Sequence, residues 1–412
     1  MANEKYDLIV RNGEVIDGTG SSRLMADIGV RGDRIAAVGD LSQASGDVEF
    51  DAANRIVAPG FIDVHTHDDH ALLSKPDMSY KTSQGVTTVV AGNCGVSLAP
   101  LRFNGDRPPP PLDLLGDGYK FPRMSDFFDA IDTNPAATNA ALLCGHTTLR
   151  VGAMDDLQRP ATDHEIDQMR DQLAEALDAG VVGMSTGLAY EPAKPAPTSE
   201  VLKLAELLGP AGALYTTHLR NEGNDIVESL EEAFRIGRES DAGVVLSHHK
   251  ITGKENFGRS EETLEIIERI RKDLPVDLDV YPYVAGSTVL QKWRLGEARR
   301  VIITWSVTEP EAGGRDLNEI AEDWGCSIED ACDRLQPAGA IYFMMDEADV
   351  QRIIKYQHSM IASDGLPHDH HPHPRLWGTF PRVLGHYSRD LNLISLEDAV
   401  HRMSGKPASG FG

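Results

Sequence analysis

The residues of this chain best suited to chemistry are histidines, cysteines and acids that close apolar runs. In Ile62-Asp63-Val64-His65-Thr66-His67-Asp68-Asp69 two histidines stand two apart, after a strand-like stretch that begins at Val57. Side chains two apart on a strand share a face, so His65 and His67 can share an ion. Further along, Asn93-Cys94-Gly95, Gly145-His146, Thr217-His218, Ser247-His248-His249-Lys250, Tyr281-Pro282-Tyr283 and Ser363-Asp364-Gly365 each end an apolar run. A strand-end histidine taken alone reads more simply as a backbone cap, and a lone Cys94 as a small buried thiol. Taken together, borderline and soft donors on one rim are what a zinc-class ion requires. An uncommitted aspartate beside them is what a metal-assisted hydrolase requires.

The elements that must position these residues repeat as strand, loop and helix from about residue 56. Eight strand candidates follow in order: Val57 to Val64, Thr87 to Ala91, Ala140 to Leu143, Val181 to Ser185, Ala213 to Thr217, Gly243 to Ser247, Val276 to Val280, and Met360 to Ser363. The clearest helix spans Thr162 to Ala179. A capping box of Thr162 and Glu165 opens it, an Ile166, Met169, Leu173, Leu177 stripe runs along it, and Gly180 stops it. A second helix is read over Asn224 to Ser240. Strands alternating with helices imply parallel pairing, and eight such units predict an α/β fold, a closed (β/α)8 TIM-like barrel; the competing reading is an open doubly wound sheet. Active sites of such barrels sit at the C-terminal strand ends, where the candidate residues fall. Residues 1–57 read as a small β domain, with Asn12-Gly13 as a hairpin turn. Residues 58–412 form the barrel, and 285–355 form a lid insertion between strands seven and eight, with helices near Asp316 to Trp324 and Ile328 to Leu335. The proline run Pro108 to Pro111 marks a loop.

Composition narrows the partners. A formal net charge of -25 argues against nucleic acid and anionic membrane, both of which need basic surface. No apolar run is long enough to span a bilayer. The cysteines Cys94, Cys144, Cys326 and Cys332 form no CxxC and no disulfide framework, and Met-Ala-Asn-Glu-Lys-Tyr has no apolar leader character. These features make a cytoplasmic enzyme the default reading, and the charge says nothing about the substrate. Oligomeric state is left open, a monomer being compatible with the sequence.

The run Pro59-Gly60-Phe61-Ile62-Asp63-Val64-His65-Thr66-His67, with His218, His248 and Asp364 further on, resembles the amidohydrolase superfamily. Longer motifs resemble its D-aminoacylase (N-acyl-D-amino-acid deacylase) family: Ser83-Gln84-Gly85-Val86-Thr87-Thr88-Val89-Val90, Gly92-Asn93-Cys94-Gly95, Ser247-His248-His249-Lys250, Ser363-Asp364-Gly365-Leu366-Pro367, and the stretch from His373 to Gly385. The likeness runs from residue 6 to 412. It implies zinc-dependent hydrolysis of N-acyl-D-amino acids to a carboxylate and a free D-amino acid. It also implies one tightly held zinc on Cys94, His218 and His248. A second, weaker position falls on His65 and His67 and shares the cysteine. Asp364 falls on the general acid/base, and Lys250, Tyr281, Ser287 and Arg375 on residues that hold the substrate's α-carboxylate, Tyr283 being the alternative to Tyr281. Zinc polarises an amide carbonyl and lowers the pKa of water, and a fork and a point charge suit a carboxylate.

The side-chain pocket is read from the rim and lid as Tyr190, Leu290, Trp293, Arg294, Tyr342 and Met345, which suits neutral, hydrophobic D-amino acids. Arg294 fits equally an acidic side chain, as in N-acyl-D-glutamate and N-acyl-D-aspartate deacylases, or a surface charge. The histidines of His368-Asp369-His370-His371-Pro372-His373 read as an exposed loop, with an adventitious ion as the alternative. Family members continue beyond the point where Gly412 ends this chain, with a segment that completes the small β domain. The N-terminal strands are therefore expected to expose an edge and an apolar face, at some expense of stability. Two other classes are weighed. A non-catalytic scaffold of this fold would lose the ligand and acid/base set, which is present. A cyclic-amide hydrolase would bridge two metals with a lysine at strand four, and Val181 to Thr186 contains none.

Overall fold

A computed structural model describes residues 4–103, 105, 108–115 and 121–412. The chain opens with β1 (Lys5–Val15), β2 (Leu24–Arg31), β3 (Arg34–Gly39), β4 (Ser45–Asp51) and β5 (Ile56–Val57). They form one sheet in the order β3-β2-β1-β4, with β5 also on β1. Asn12-Gly13 is not a hairpin turn. β1 runs straight through it, and the register against β2 shifts between Val10 and Gly13. Asn12 takes φ 59, and its amide donates to Asp27 Oδ1 at 2.8 Å while its side chain donates to Asp51 Oδ1 at 3.0 Å. These bonds hold a bulge in place of a turn. The turn falls instead at Gly32-Asp33, between β2 and β3. Ile35 and Phe50, at 68% and 61% exposure, head an uncovered apolar face that includes Val38 and Val48.

The barrel follows: β6 (Phe61–Asp63), β7 (Val86–Ala91), β8 (Asn139–Gly145), β9 (Gly183–Gly187), β10 (Leu214–His218), β11 (Val244–Leu246) and β12 (Val276–Val280). Then come β13 (Ala285–Val289), β14 (Val301–Ser306) and β15 (Ala338–Phe343) of the insertion, before β16 (Ser359–Ile361) returns to the barrel. The eight barrel strands pair in chain order, all parallel. A Thr66–Gly365 bridge nearly closes the ring. Val64, Val90, Leu143, Val245, Met360 and Ala362 fill the interior, so the barrel is a packed core with its chemistry at one mouth. The helix Asp163–Ala179 starts on the expected capping box and ends on Gly180 at φ 109. Its buried Ile166, Met169, Leu173 and Ala176 face the core.

The insertion is built on strands that the sequence reading did not anticipate. β13, β15 and β14 form an antiparallel sheet. The helices Leu317–Trp324 and Ile328–Leu335 start at Asp316 and Ser327 N-caps and pack with that sheet around Ile303, Ile320, Leu335 and Tyr342. Glu347–Lys355, the last helix of this stretch, packs on β12, β16 and the helix Ser260–Ile270, as an outer-ring helix does.

Candidate metal centre and active site

Three chain reversals place the key donors over the barrel mouth. Cys94, His248 and Asp364 have φ of 54, 37 and 49, the left-handed region that non-glycine residues avoid and that clusters at functional sites. Each is braced. The His248 amide donates to Asp279 Oδ1 at 2.8 Å, and the Asp364 amide to the His65 carbonyl at 2.8 Å. Beside Cys94, the Gly95 amide donates to Ser185 Oγ at 2.9 Å. Gly187 allows this approach, because a Cβ there would lie 2.1 Å from the Cys94 carbonyl oxygen.

The donors converge. Cys94 Sγ lies 3.2 Å from His65 Nε2 and 3.3 Å from His248 Nε2, and His248 Nε2 lies 2.9 Å from His218 Nδ1. Asp364 Oδ1 is 3.3 Å from His67 Nε2 and 3.6 Å from His65 Nε2. Three triads have ligand atoms within 4.8 Å of one another: His65-His67-Cys94, Cys94-His218-His248 and His65-His248-Asp364. All six residues are buried. Burial alone would raise the Cys94 thiol, but His65 and His248 outweigh it and hold the thiol well below its ordinary value. Burial likewise pushes the Asp364 carboxyl up, and the Arg375 and His65 charges beside it drive it well below the carboxylate range. A thiolate, a carboxylate and imidazole nitrogens in one buried pocket are a donor set made for a borderline cation, so these residues fit zinc.

Two acids that the sequence reading missed stand beside the ring nitrogens that face away from the cluster, one of them hydrogen-bonded to His65. Asp279 Oδ2 lies 3.2 Å from His65 Nδ1. Glu222 Oε1 lies 3.1 Å from His248 Nδ1, and Glu222 Oε2 3.6 Å from His218 Nε2. Such partners fix ring orientation and tautomer at metal sites. Burial raises the Glu222 carboxyl, but Lys250, His218 and His248 outweigh it and hold it well below its usual value.

A narrow cavity opens beside the cluster. Lys250, Tyr281, Ser287, Arg375, Arg294 and Tyr190 all line it, with His67, His218, His248 and Asp364. Arg375 Nη1 is 2.8 Å from Asp364 Oδ2, and its Nη2 donates to the Ser287 carbonyl at 2.9 Å. Arg375 Nε and the Tyr281 hydroxyl are buried without a hydrogen-bond partner among the described residues. Lys250 Nζ is engaged, 2.5 Å from Glu222 Oε1 and 2.6 Å from His248 Nδ1. Tyr281 lines the cavity, whereas Tyr283 stands off it, under Arg382 and against His373. Of the side-chain candidates, Leu290, Trp293, Tyr342 and Met345 do not line this cavity, and Met344 takes their place. Tyr342 instead donates its hydroxyl to the Val289 carbonyl inside the insertion.

Two other expectations shift. In the loop from His368, His370 and His371 are exposed but His373 is buried, and His368 stacks on His70. His146 leaves the site altogether: it is buried against Glu200, which also pairs with Arg150. Among the described residues no helix is long and apolar enough to cross a membrane.

Comparison with known proteins agrees with this geometry. A family model described as the amidohydrolase family matches residues 48–218. A D-aminoacylase of Alcaligenes xylosoxydans xylosoxydans is 56% identical over 412 residues, which is all of this chain and 85% of that protein. A solved D-aminoacylase structure, described for its binuclear metal centre, superposes with a TM-score of 0.97 at 56% identity, covering 99% of this chain and 86% of that one. N-acyl-D-glutamate deacylase from Bordetella bronchiseptica, solved with zinc and a phosphonate inhibitor, gives a TM-score of 0.97 at 47% identity with the same coverage. The chain belongs to the D-aminoacylase family of amidohydrolases.

Proposed function

We propose that the chain hydrolyses N-acyl-D-amino acids to a carboxylate and a free D-amino acid, with zinc held by Cys94, His218 and His248. His65 and His67, with the shared Cys94, form a second, weaker position. The observation that carries the reading is the placement of Asp364. Its carboxylate meets the His/Cys cluster on one oxygen and Arg375 on the other. A divalent ion in the cluster supplies Lewis-acid polarisation of the amide carbonyl and a lowered pKa for water. The chain's own residues do the rest. Asp364, kept ionised by Arg375, takes the proton of the attacking water and returns it to the departing nitrogen. Arg375 Nε and the Tyr281 hydroxyl are free donors that await an acceptor, and the substrate's α-carboxylate supplies one, with Ser287 and Lys250 beside it. The carboxylate anchor, the cluster and the side-chain end of the cavity fix three directions at the α-carbon, which is what selection of one hand requires.

Neutral, hydrophobic side chains fit against Tyr190, Met344 and Leu366. One observation favours a second reading, acidic side chains. Arg294 is 3% exposed, faces the cavity, and makes no ion pair within 4.0 Å among the described residues. Its Nε donates only to Gln291 Oε1 at 3.2 Å. Hydrolysis assays on N-acetyl-D-methionine, its L enantiomer, N-acetyl-D-glutamate and dihydrouracil, before and after zinc is stripped, decide among these. Turnover of a D-acyl substrate that disappears with zinc is expected. Turnover of dihydrouracil alone, or none at all, refutes the proposal in favour of a cyclic-amide hydrolase or a scaffold.

A further inference from the structure

The barrel has one seam that no ladder closes. β16 and β6 end the sheet order and share no run of paired residues. Among the described residues their backbones meet only at the Thr66–Gly365 bridge and at the bond from the Asp364 amide to the His65 carbonyl. Yet the two halves of the site face each other across this seam, His67 on one side and Asp364 on the other, 3.3 Å apart.

A buried side chain spans it. Lys81, on the short helix Ser79–Thr82, brings Nζ to 2.7 Å from Asp63 Oδ2, 2.8 Å from Ser363 Oγ and 3.3 Å from Asp68 Oδ2. Lys81, Asp63, Asp68 and Ser363 have no exposed surface. Asp63 Oδ1 accepts the Ser363 amide at 2.8 Å, and Ser363 Oγ accepts the Gly365 amide at 3.1 Å. The placement in sequence gives this lattice its meaning. Asp63 stands two residues before His65, Asp68 follows His67, and Ser363 precedes Asp364. One ammonium thus holds both segments that carry the facing groups: it donates to Asp63 Oδ2 and Ser363 Oγ, and Asp68 Oδ2 stands beside it as an ion-pair partner. Apolar isosteres often replace buried ion pairs without loss of stability, so stability alone is a weak reason for a charge here.

We propose that Lys81 is a positioning residue for the hydrolysis: it pins β6 to β16 and so sets the spacing of Asp364 from His65 and His67. The inference rests on the acid/base role given to Asp364 above. A misplacement of about 1 Å at such a group costs on the order of 100-fold in rate, so the effect falls on turnover and not on binding, because Lys81 does not line the substrate cavity.

The test is Lys81→Met and Ser363→Ala in the zinc-loaded full chain, assayed with N-acetyl-D-methionine and N-acetyl-D-glutamate well below the melting temperature, with a parallel Co2+ titration read by visible absorption. Per folded molecule, kcat is expected to fall at least tenfold in Lys81→Met and about fivefold in Ser363→Ala. KM should stay within threefold, and Co2+ per chain should be unchanged while its spectrum shifts. A lower melting temperature with unchanged kcat and spectrum makes Lys81 merely structural and overturns the inference. If Lys81→Met does not fold, Ser363→Ala, which leaves the charges paired, decides by the same criteria. If the wild type turns over neither substrate, the proposed function fails, and the Co2+ spectrum alone decides the seam: an unshifted spectrum overturns it.

Discussion

Replacing Asp364 by Asn tests the reaction at its centre. The amide keeps the shape of the carboxylate and one acceptor oxygen, so the contacts with His67 at 3.3 Å and His65 at 3.6 Å lose charge without losing volume. What disappears is the capacity to take up a proton. A positioned acid or base contributes about 10²- to 10⁴-fold, and here one group serves both proton transfers. A fall of about 10³ in kcat is therefore expected, about 4 kcal/mol at roughly 1.4 kcal/mol per decade. KM should hold or drop. Arg375 Nη1 loses the carboxylate it meets at 2.8 Å, which leaves the guanidinium freer for the substrate's own carboxylate. Zinc per chain should stay at the wild-type value, since Cys94, His218 and His248 form a triad without Asp364. Steady-state kinetics with metal analysis of the same samples reads all three quantities. A variant that keeps its zinc and turns over within fivefold of wild type refutes the acid/base assignment.

Further outcomes follow from the same structure. Arg294→Leu should lower kcat/KM for N-acetyl-D-glutamate at least tenfold if the cavity takes acidic side chains, since a charged hydrogen bond contributes about 1.5–3 kcal/mol. N-acetyl-D-methionine should then stay within threefold, and equal effects on both substrates would discard the acidic reading. Acid should weaken the fold through Glu200. Burial raises its carboxyl, but hydrogen bonds from His146 and Arg150 outweigh this and bring it from 4.5 down to about 2. A depressed acid stabilises the fold above its unfolded value, so this contribution, on the order of 3 kcal/mol, is present above pH 4.5 and lost as pH falls from 4.5 towards 2. Glu200→Gln should flatten that stretch of the stability curve in urea titrations at stepped pH, and an unchanged slope would contradict the assignment. Ile35→Thr with Phe50→Ser should reduce aggregation and binding of a hydrophobic dye, because both side chains stand on the uncovered face of the N-terminal sheet. Light scattering on heating checks it, and equal scattering counts against that face as the sticky one.

The site was more legible than its supports. Strand-end position marks Cys94, His218, His248 and Asp364 together with others such as His146; the family motifs singled these four out, and the barrel brings them to one mouth. Asp279 offered a signal that went unused: in Val276-Asp277-Leu278-Asp279-Val280 two aspartates occupy one face of a core strand. Asp277 pairs with Arg271 and Lys406, while Asp279 reaches the histidines. Glu222 gave no signal, since it lies in an aperiodic loop and only the fold carries it under His218 and His248. His146 shows the opposite limit. It ends a strand as His218 does, yet the chain enters the helix His146–Ala153 there and turns it onto Glu200. The strands of the insertion were hidden for a further reason. Ala285-Gly286-Ser287-Thr288-Val289 is small and polar, and it becomes a strand only because β15 supplies a partner.

The backbone at the donors explains why a site of this kind needs so much scaffold. Left-handed Cys94, His248 and Asp364 each cost about 1–3 kcal/mol in isolation. Such conformations persist only where neighbours over-determine them. The neighbours here are Asp279 under His248, the His65 carbonyl under Asp364, and the close approach that Gly187 allows at Cys94. The braces of His248 and Asp364 come from an adjacent strand and that of Cys94 from β9, two strands along, so the reach of each donor depends on the spacing between strands. A parallel ladder fixes that spacing everywhere except between β6 and β16. The strain is therefore shared by the whole ring, and the place where backbone pairing gives out is the place where a buried ammonium takes over.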